Sequence, residues 1–302
     1  MRSRLTLAMV AFGTTAALAG VLWMAARPTE GQTPLAGQFP PYEPPRLADG
    51  RPDLNGVWQA FTTANWDLQD HEAQPGPHPE LMGAYGAGPA GQGIVEGNEI
   101  PYQPWALAKK KQNFEKRMAV DVSDDETWHD TGDPELKCYL PGVPRATYMP
   151  FPFHIVQGAG PEPYILIAYE FTSATRIIRM NWTQEAPTDS WMGWSRGRWD
   201  NDTLVVDVTG QRAETWFDRA GNFHSDALHV VERYTPISPY HLMYEATIED
   251  PKVFTRPWTI RMPLYRRMEP NVQLLEFKCV PFTEELLFGP FTKKQDKPGG
   301  VR

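Results

Sequence analysis

The side chains best suited to proton chemistry gather in one stretch of the chain. Thr215-Trp216-Phe217-Asp218-Arg219 is followed by His224-Ser225-Asp226-Ala227-Leu228-His229, and Glu232 closes the run. A histidine beside a carboxylate is the minimum for general acid–base catalysis near neutral pH. The expected catalytic pairing is His224 with Asp226 or Asp218. A metal site built from His224, His229 and Glu232 fits poorly, because alternate side chains of a strand point to opposite faces. The structural alternative makes Asp218 and Asp226 turn formers, Ser225 a local hydrogen-bond partner and His229 a satisfied sheet residue. The chain has no zinc-type cysteine spacing, no G-x-G-x-x-G or P-loop and no G-x-S-x-G elbow. No metal or cofactor is expected, and an α/β-hydrolase is disfavoured.

A second set of residues is suited to gripping a ligand. Trp194–Trp199 and Thr203–Val208 flank Asp200-Asn201-Asp202, a hairpin signal. Period-two alternation puts Trp199, Leu204, Val206 and Val208 on the core face. Trp194, Arg196, Arg198, Val205 and Asp207 share the other face, with Arg196 opposite Asp207. That face is either solvated charge or an arginine-rich surface for an anionic or carbonyl ligand, since arginine offers a fixed fork of donors. Arg145 and His154 are further ligand-binding candidates, and Arg198 or Arg145 would support an oxyanion. Trp128-His129-Asp130 precedes the rigid Pro- and Gly-bearing loop that carries Arg145.

Several of these stretches belong together. Cys138-x-x-Pro141-Gly142-Val143-Pro144-Arg145, Pro152–Gln157, Ser190-Trp191-Met192-Gly193 with Gly197-Arg198-Trp199 and Asp202–Asp207, and His224–His229 resemble a large family of exported bacterial proteins. The resemblance spans about residues 50–290 and implies one exported domain. It transfers no catalytic residue. Asn201 stands where a glycine is common in the hairpin turn, which bears on turn type and not on function.

The elements that must position these residues follow from length and pattern. The 302-residue chain is 41% hydrophobic and 22% charged, which is a globular composition with enough length for a large core. A net charge of −8, with Lys109-Lys110-Lys111 as the one basic run, argues against nucleic acid. Arg2 and Arg4 precede an uncharged stretch from Leu5 to Ala26, with Ala17-Leu18-Ala19 inside it. This reads as a signal peptide or a membrane anchor over residues 1–26, which is the one expected membrane contact. The body is expected outside the cytoplasm, in the periplasm or anchored facing it. There Cys138 and Cys279 are candidates to pair.

Residues 27–52 read as a linker, 53–290 as one β-rich domain and 291–302 as a polar tail. Leu54–Gln59 is a first strand, and residues 62–104 are irregular. One helix is expected from about Pro104 to Met118, with Trp105, Leu107 and Phe114 as its apolar residues. Phe153–Gln157, Tyr164–Tyr169 and Thr175–Met180 are strands, with more at about 227–234, 241–248, 257–265 and 272–279. Leu242, Tyr244, Ala246 and Ile248 alternate with polar neighbours, as an antiparallel sheet with one wetted face requires. The fold class is therefore all-β and mainly antiparallel, with a long irregular N-terminal region and one helix. A barrel is preferred to a sandwich, because Gly56-x-Trp58 is similar to the first-strand motif of lipocalin-like barrels. The function expected is binding of a small apolar or aromatic molecule in a barrel cavity. The alternatives are a cofactor-independent hydrolase or isomerase, and a structural envelope protein.

Overall fold

The computed structural model describes residues 42–76, 87–117, 133–158, 164–281 and 283. Residues 1–26, where a signal or anchor is expected, Trp128-His129-Asp130 and the expected polar tail at 291–302 lie outside the described residues. No described helix is long and apolar enough to cross a membrane.

Nine strands close into a barrel in the order β1-β11-β10-β9-β8-β7-β6-β5-β4, with β4 returning to β1. They are β1 (Gly56–Ala60), β4 (Phe153–Gln157), β5 (Tyr164–Tyr169), β6 (Thr175–Met180), β7 (Trp194–Asp200), β8 (Thr203–Thr209), β9 (His229–Ser238), β10 (His241–Glu249) and β11 (Trp258–Arg266). Two short strands, β2 (Gln74–Pro75) and β3 (Ala87–Gly88), pair outside the barrel. Helix α1 covers Pro104–Lys116, and a single turn, α2, covers Arg145–Tyr148. Neighbours in a closed ring cannot all be antiparallel when their number is odd. The exception is β6–β7, which pairs parallel. Residues 181–193 carry the chain back along the barrel between them, the long crossover that a parallel pair needs. The barrel thus departs from the eight-stranded up-and-down pattern of lipocalins.

Alternation decides what enters the barrel. Leu242, Tyr244, Ala246 and Ile248 of β10 face inward and are buried, as do Leu204, Val206 and Val208 of β8. The registers place Trp199 opposite Leu204 and Arg196 opposite Asp207, as the hairpin pattern requires. Asn201 accepts a left-handed φ of 53° at the turn, which a short amide side chain tolerates. Two expectations are corrected. Residues 272–279 form no strand; they run as a strap held by Phe277 against Phe151 and Phe171 and by the Cys138–Cys279 disulfide. Trp105 and Leu107 point outward from α1, which instead buries Ala106 and Asn113.

The two barrel ends differ. Short turns at 200–203 and 238–241 mark one, where Trp58 donates its indole N–H to the Leu54 carbonyl at 3.0 Å. The Arg266 guanidinium lies 4.4 Å from the Trp58 ring. Gly56 is required there: a Cβ would meet Arg266 Nη1 at 2.7 Å, and φ is +138°. The other end receives residues 61–76, 87–117 and 133–152, the β8–β9 loop and the β10–β11 loop, which together cap it. Between the ends the lumen is filled. Arg176 and Glu232 form a buried ion pair at 2.8 Å, and the Tyr234 and Tyr244 hydroxyls each donate to Glu232 at 2.9 Å. Glu232, Tyr234 and Tyr244 have no exposed surface, so no water-sized void adjoins them.

Candidate functional site

The capped end carries a cavity of about 180 Å³. Its apolar wall is Trp66, Phe114 and Leu136 with Pro75 and Pro89, and Asp67, His71, Lys110, Arg117, Asp133 and Arg219 bring polar groups to it. Five pieces of chain build it, one of them the turn at Pro134–Lys137, which brings Asp133 and Leu136. The segment after β1 supplies Trp66, Asp67 and His71, and the β2–β3 pair supplies the prolines. Helix α1 and its C-cap supply Lys110, Phe114 and Arg117, spaced i, i+4 and i+7 and so on one face. The β8–β9 loop supplies Arg219 and Ala220. Gly221 lets that loop approach the helix: its φ is +83°, and a Cβ there would meet Asn113 Cβ at 2.7 Å and Lys110 O at 3.1 Å. Asn113 Nδ2 donates to Gly221 O at 3.2 Å and locks the contact.

A buried ion network forms one side of the cavity. Arg145, 1% exposed, spends all five N–H donors. Nε donates to Asn65 Oδ1 (2.9 Å), Nη1 to Asp133 Oδ1 (2.9 Å) and Trp216 O (3.3 Å), and Nη2 to Asp133 Oδ2 (3.0 Å) and Glu135 Oε2 (2.7 Å). Arg219 grips Glu135 through two contacts of 2.8 Å and lies 4.3 Å over the Trp66 ring. Burial alone would raise the Glu135 carboxyl, but Arg219 and Arg145 hold it down to about 2.

A second buried carboxyl joins two loops. Asp218 accepts from the backbone N–H of Leu68 (2.9 Å), Ala220 (3.0 Å) and Asn222 (3.1 Å) and from Asn222 Nδ2 (2.6 Å). Burial and then the neighbouring Asp67 carboxylate push Asp218 up to about 7, against those four donors. Burial also raises Asp67. His71 is the open group of the site. Its Nδ1 lies 2.8 Å from Gln69 O, and its buried Nε2 has no hydrogen-bond partner among the described residues.

The residues singled out in the sequence fall elsewhere. His224 is buried in the capped end; its Nε2 meets Thr215 Oγ1 at 2.7 Å and its Nδ1 meets Ser225 O at 2.9 Å. Both ring nitrogens are thus taken, and burial lowers its pKa. Asp226 is exposed and pairs with Lys252 at 2.6 Å. Asp218 is committed to its loop N–H groups. The structure therefore does not assemble His224 with Asp226 or Asp218 as a hydrogen-bonded dyad. Arg145 has no donor left for a ligand. Arg196 is engaged with Asp207 and Glu185, Arg198 is exposed on the outer wall, and Trp194 packs beside Trp182 at 6.1 Å. His154 faces outward between the inward-facing Phe153 and Ile155. None of these five ligand-binding candidates lines the cavity.

His229 also faces outward, 2.8 Å from Asp207. Among the described residues, no three His, Cys, Asp or Glu side chains gather as a metal requires. Sequence reasoning missed Trp66, Asp67, His71, Lys110, Phe114 and Arg117. The one available signal was the i, i+4, i+7 spacing of the last three. Protein-family models, curated proteins and solved structures give no match to the chain.

Proposed function

We propose that this is an exported protein that binds a small aromatic molecule in the cavity at the capped end of its barrel. The observation that carries the reading is the meeting of an apolar wall, Trp66, Phe114 and Leu136, with the buried, unpartnered Nε2 of His71. Concave apolar sites with a few oriented polar groups are the usual form of small-molecule pockets. The closed lumen directs the ligand to the mouth, since Glu232, Tyr234 and Tyr244 leave no space beside them. The disulfide between Cys138 and Cys279 supports export, because such bonds persist in oxidising compartments. The basic and apolar N-terminal pattern supports it too. The exported-family resemblance belongs to this same reading.

The test is mass spectrometry of small molecules retained by the exported protein, wild type against Leu136→Trp. Leu136 lines the cavity from a turn outside the barrel strands, so the larger ring is aimed at the cavity volume. The expected result is an aromatic compound bound to wild type and absent from the variant at unchanged melting temperature. Equal retention by both proteins would place the ligand elsewhere.

A further inference from the structure

The size and charge of the cavity narrow the ligand, on the premise that the cavity is the binding site. An apolar cavity of about 150 Å³ holds one benzene ring, and this one measures about 180 Å³. A single ring with small substituents fills it.

Its charges do not balance among themselves. Arg219 is bound to Glu135, and Asp133 is bound to Arg145. Lys110 and Arg117 have no carboxylate within ion-pair distance among the described residues. Lys110 Nζ lies 5.7 Å and the Arg117 guanidinium 3.8 Å from the Phe114 ring centre, and Arg117 Nη1 donates to Phe114 O at 2.6 Å. The Asp67 carboxyl feels the charge of Lys110, but burial moves it toward its neutral form. Two cations therefore remain at an aromatic wall with donors to spare, and guanidinium and ammonium donors suit a carboxylate.

His71 adds a demand of opposite kind. A carbonyl oxygen only accepts, so the contact with Gln69 O places the ring hydrogen on Nδ1. In the neutral imidazole Nε2 is then a bare lone pair, buried at the cavity wall and without a partner among the described residues. It is satisfied by a hydroxyl or amine on the ligand.

We propose that the ligand is a single-ring aromatic carboxylate bearing a hydroxyl or amine donor. Lys110 and Arg117 hold the carboxylate, His71 Nε2 accepts from the donor, and the ring packs on Trp66, Phe114 and Leu136.

Calorimetric titration of the disulfide-bonded exported chain with benzoate, the three hydroxybenzoates, phenol and toluene tests this. The expected order is one hydroxybenzoate isomer tightest, benzoate next, then phenol and toluene. Lys110→Met and Arg117→Met each weaken benzoate binding by about tenfold or more, as loss of a charge-assisted hydrogen bond does, and change phenol binding little. His71→Leu brings the best hydroxybenzoate down to the benzoate level. In wild type, rising salt weakens benzoate and not phenol, which tests the charge without any substitution. Phenol or toluene binding as tightly as benzoate, with no response to salt or to either charge removal, overturns the ligand class and leaves the cavity as a site for neutral rings. Binding by no member of the panel removes the cavity reading itself.

Discussion

Replacing Arg145 by methionine separates a scaffold role from a ligand role. The side chain is 1% exposed, and its five donors all end on protein acceptors. The surrounding charges sum to zero: Arg145 and Arg219 against Asp133 and Glu135. Methionine keeps an unbranched apolar stem but leaves one net negative charge in a site whose carboxylates are 4% and 8% exposed. Breaking a buried ion pair from one side costs about 3–5 kcal/mol, mostly as the uncompensated partner. For a domain of this size each kcal/mol lowers the melting point by about 2–4 °C, so the variant is expected to melt roughly 10 °C below wild type. Differential scanning calorimetry reads this directly. Adding Asp133→Asn to Arg145→Met should cost far less than the sum of the single changes, because the second change removes the stranded charge. A variant that melts within about 2 °C of wild type but loses affinity for the cavity ligand would refute the scaffold reasoning and return Arg145 to the ligand.

Two buried carboxyls give stability opposite dependences on pH. Glu135, held down to about 2, contributes stability that is full above its unfolded pKa and is lost as pH falls from about 4.5 toward 2; the loss is roughly 3 kcal/mol. Asp218, pushed up to about 7, contributes in the other direction. Its stabilisation is full below about pH 4 and fades as pH rises through 7. Urea denaturation from pH 2 to 8 checks both. Glu135→Gln should flatten the acid limb and Asp218→Asn the limb between 4 and 7, and unchanged slopes would show that these groups do not titrate as described. The disulfide closes a sequence separation of 141 residues. Its removal in the Cys138→Ser, Cys279→Ser protein should cost about 4–5 kcal/mol in the chain-entropy picture, and an unmoved urea midpoint would contradict it.

The barrel wall was legible because alternation is local. Leu242 through Ile248 and Leu204 through Val208 state their faces in seven and five residues, and a buried face leaves no freedom of register. The segment 272–279 alternates as well, but no strand edge remains open in a closed ring. It is fastened instead by Phe277 and Cys279. Helix α1 misled for a related reason. Trp105 and Leu107 look like its core face, yet the buried stripe runs through Ala106 and Asn113, because the packing partner is the glycine loop at 221. The site was largely illegible. His71 stands in a stretch of prolines, glycines and polar residues with no periodicity to place it. The roles of Arg145 and Asp218 depend on partners 80 and 150 positions away. The sequence marks such residues as reactive, but tertiary contacts decide that Arg145, Asp218 and His224 are spent on holding the capped end together.

A crystal structure of the disulfide-bonded protein soaked with the best-binding hydroxybenzoate decides where the ligand sits. The expected density places the ring against Trp66 and Phe114, a carboxylate within hydrogen-bond distance of Lys110 or Arg117, and the hydroxyl on His71 Nε2. Density inside the barrel beside Tyr234 and Tyr244, or on the outer wall at Arg196 and Trp194, would contradict it.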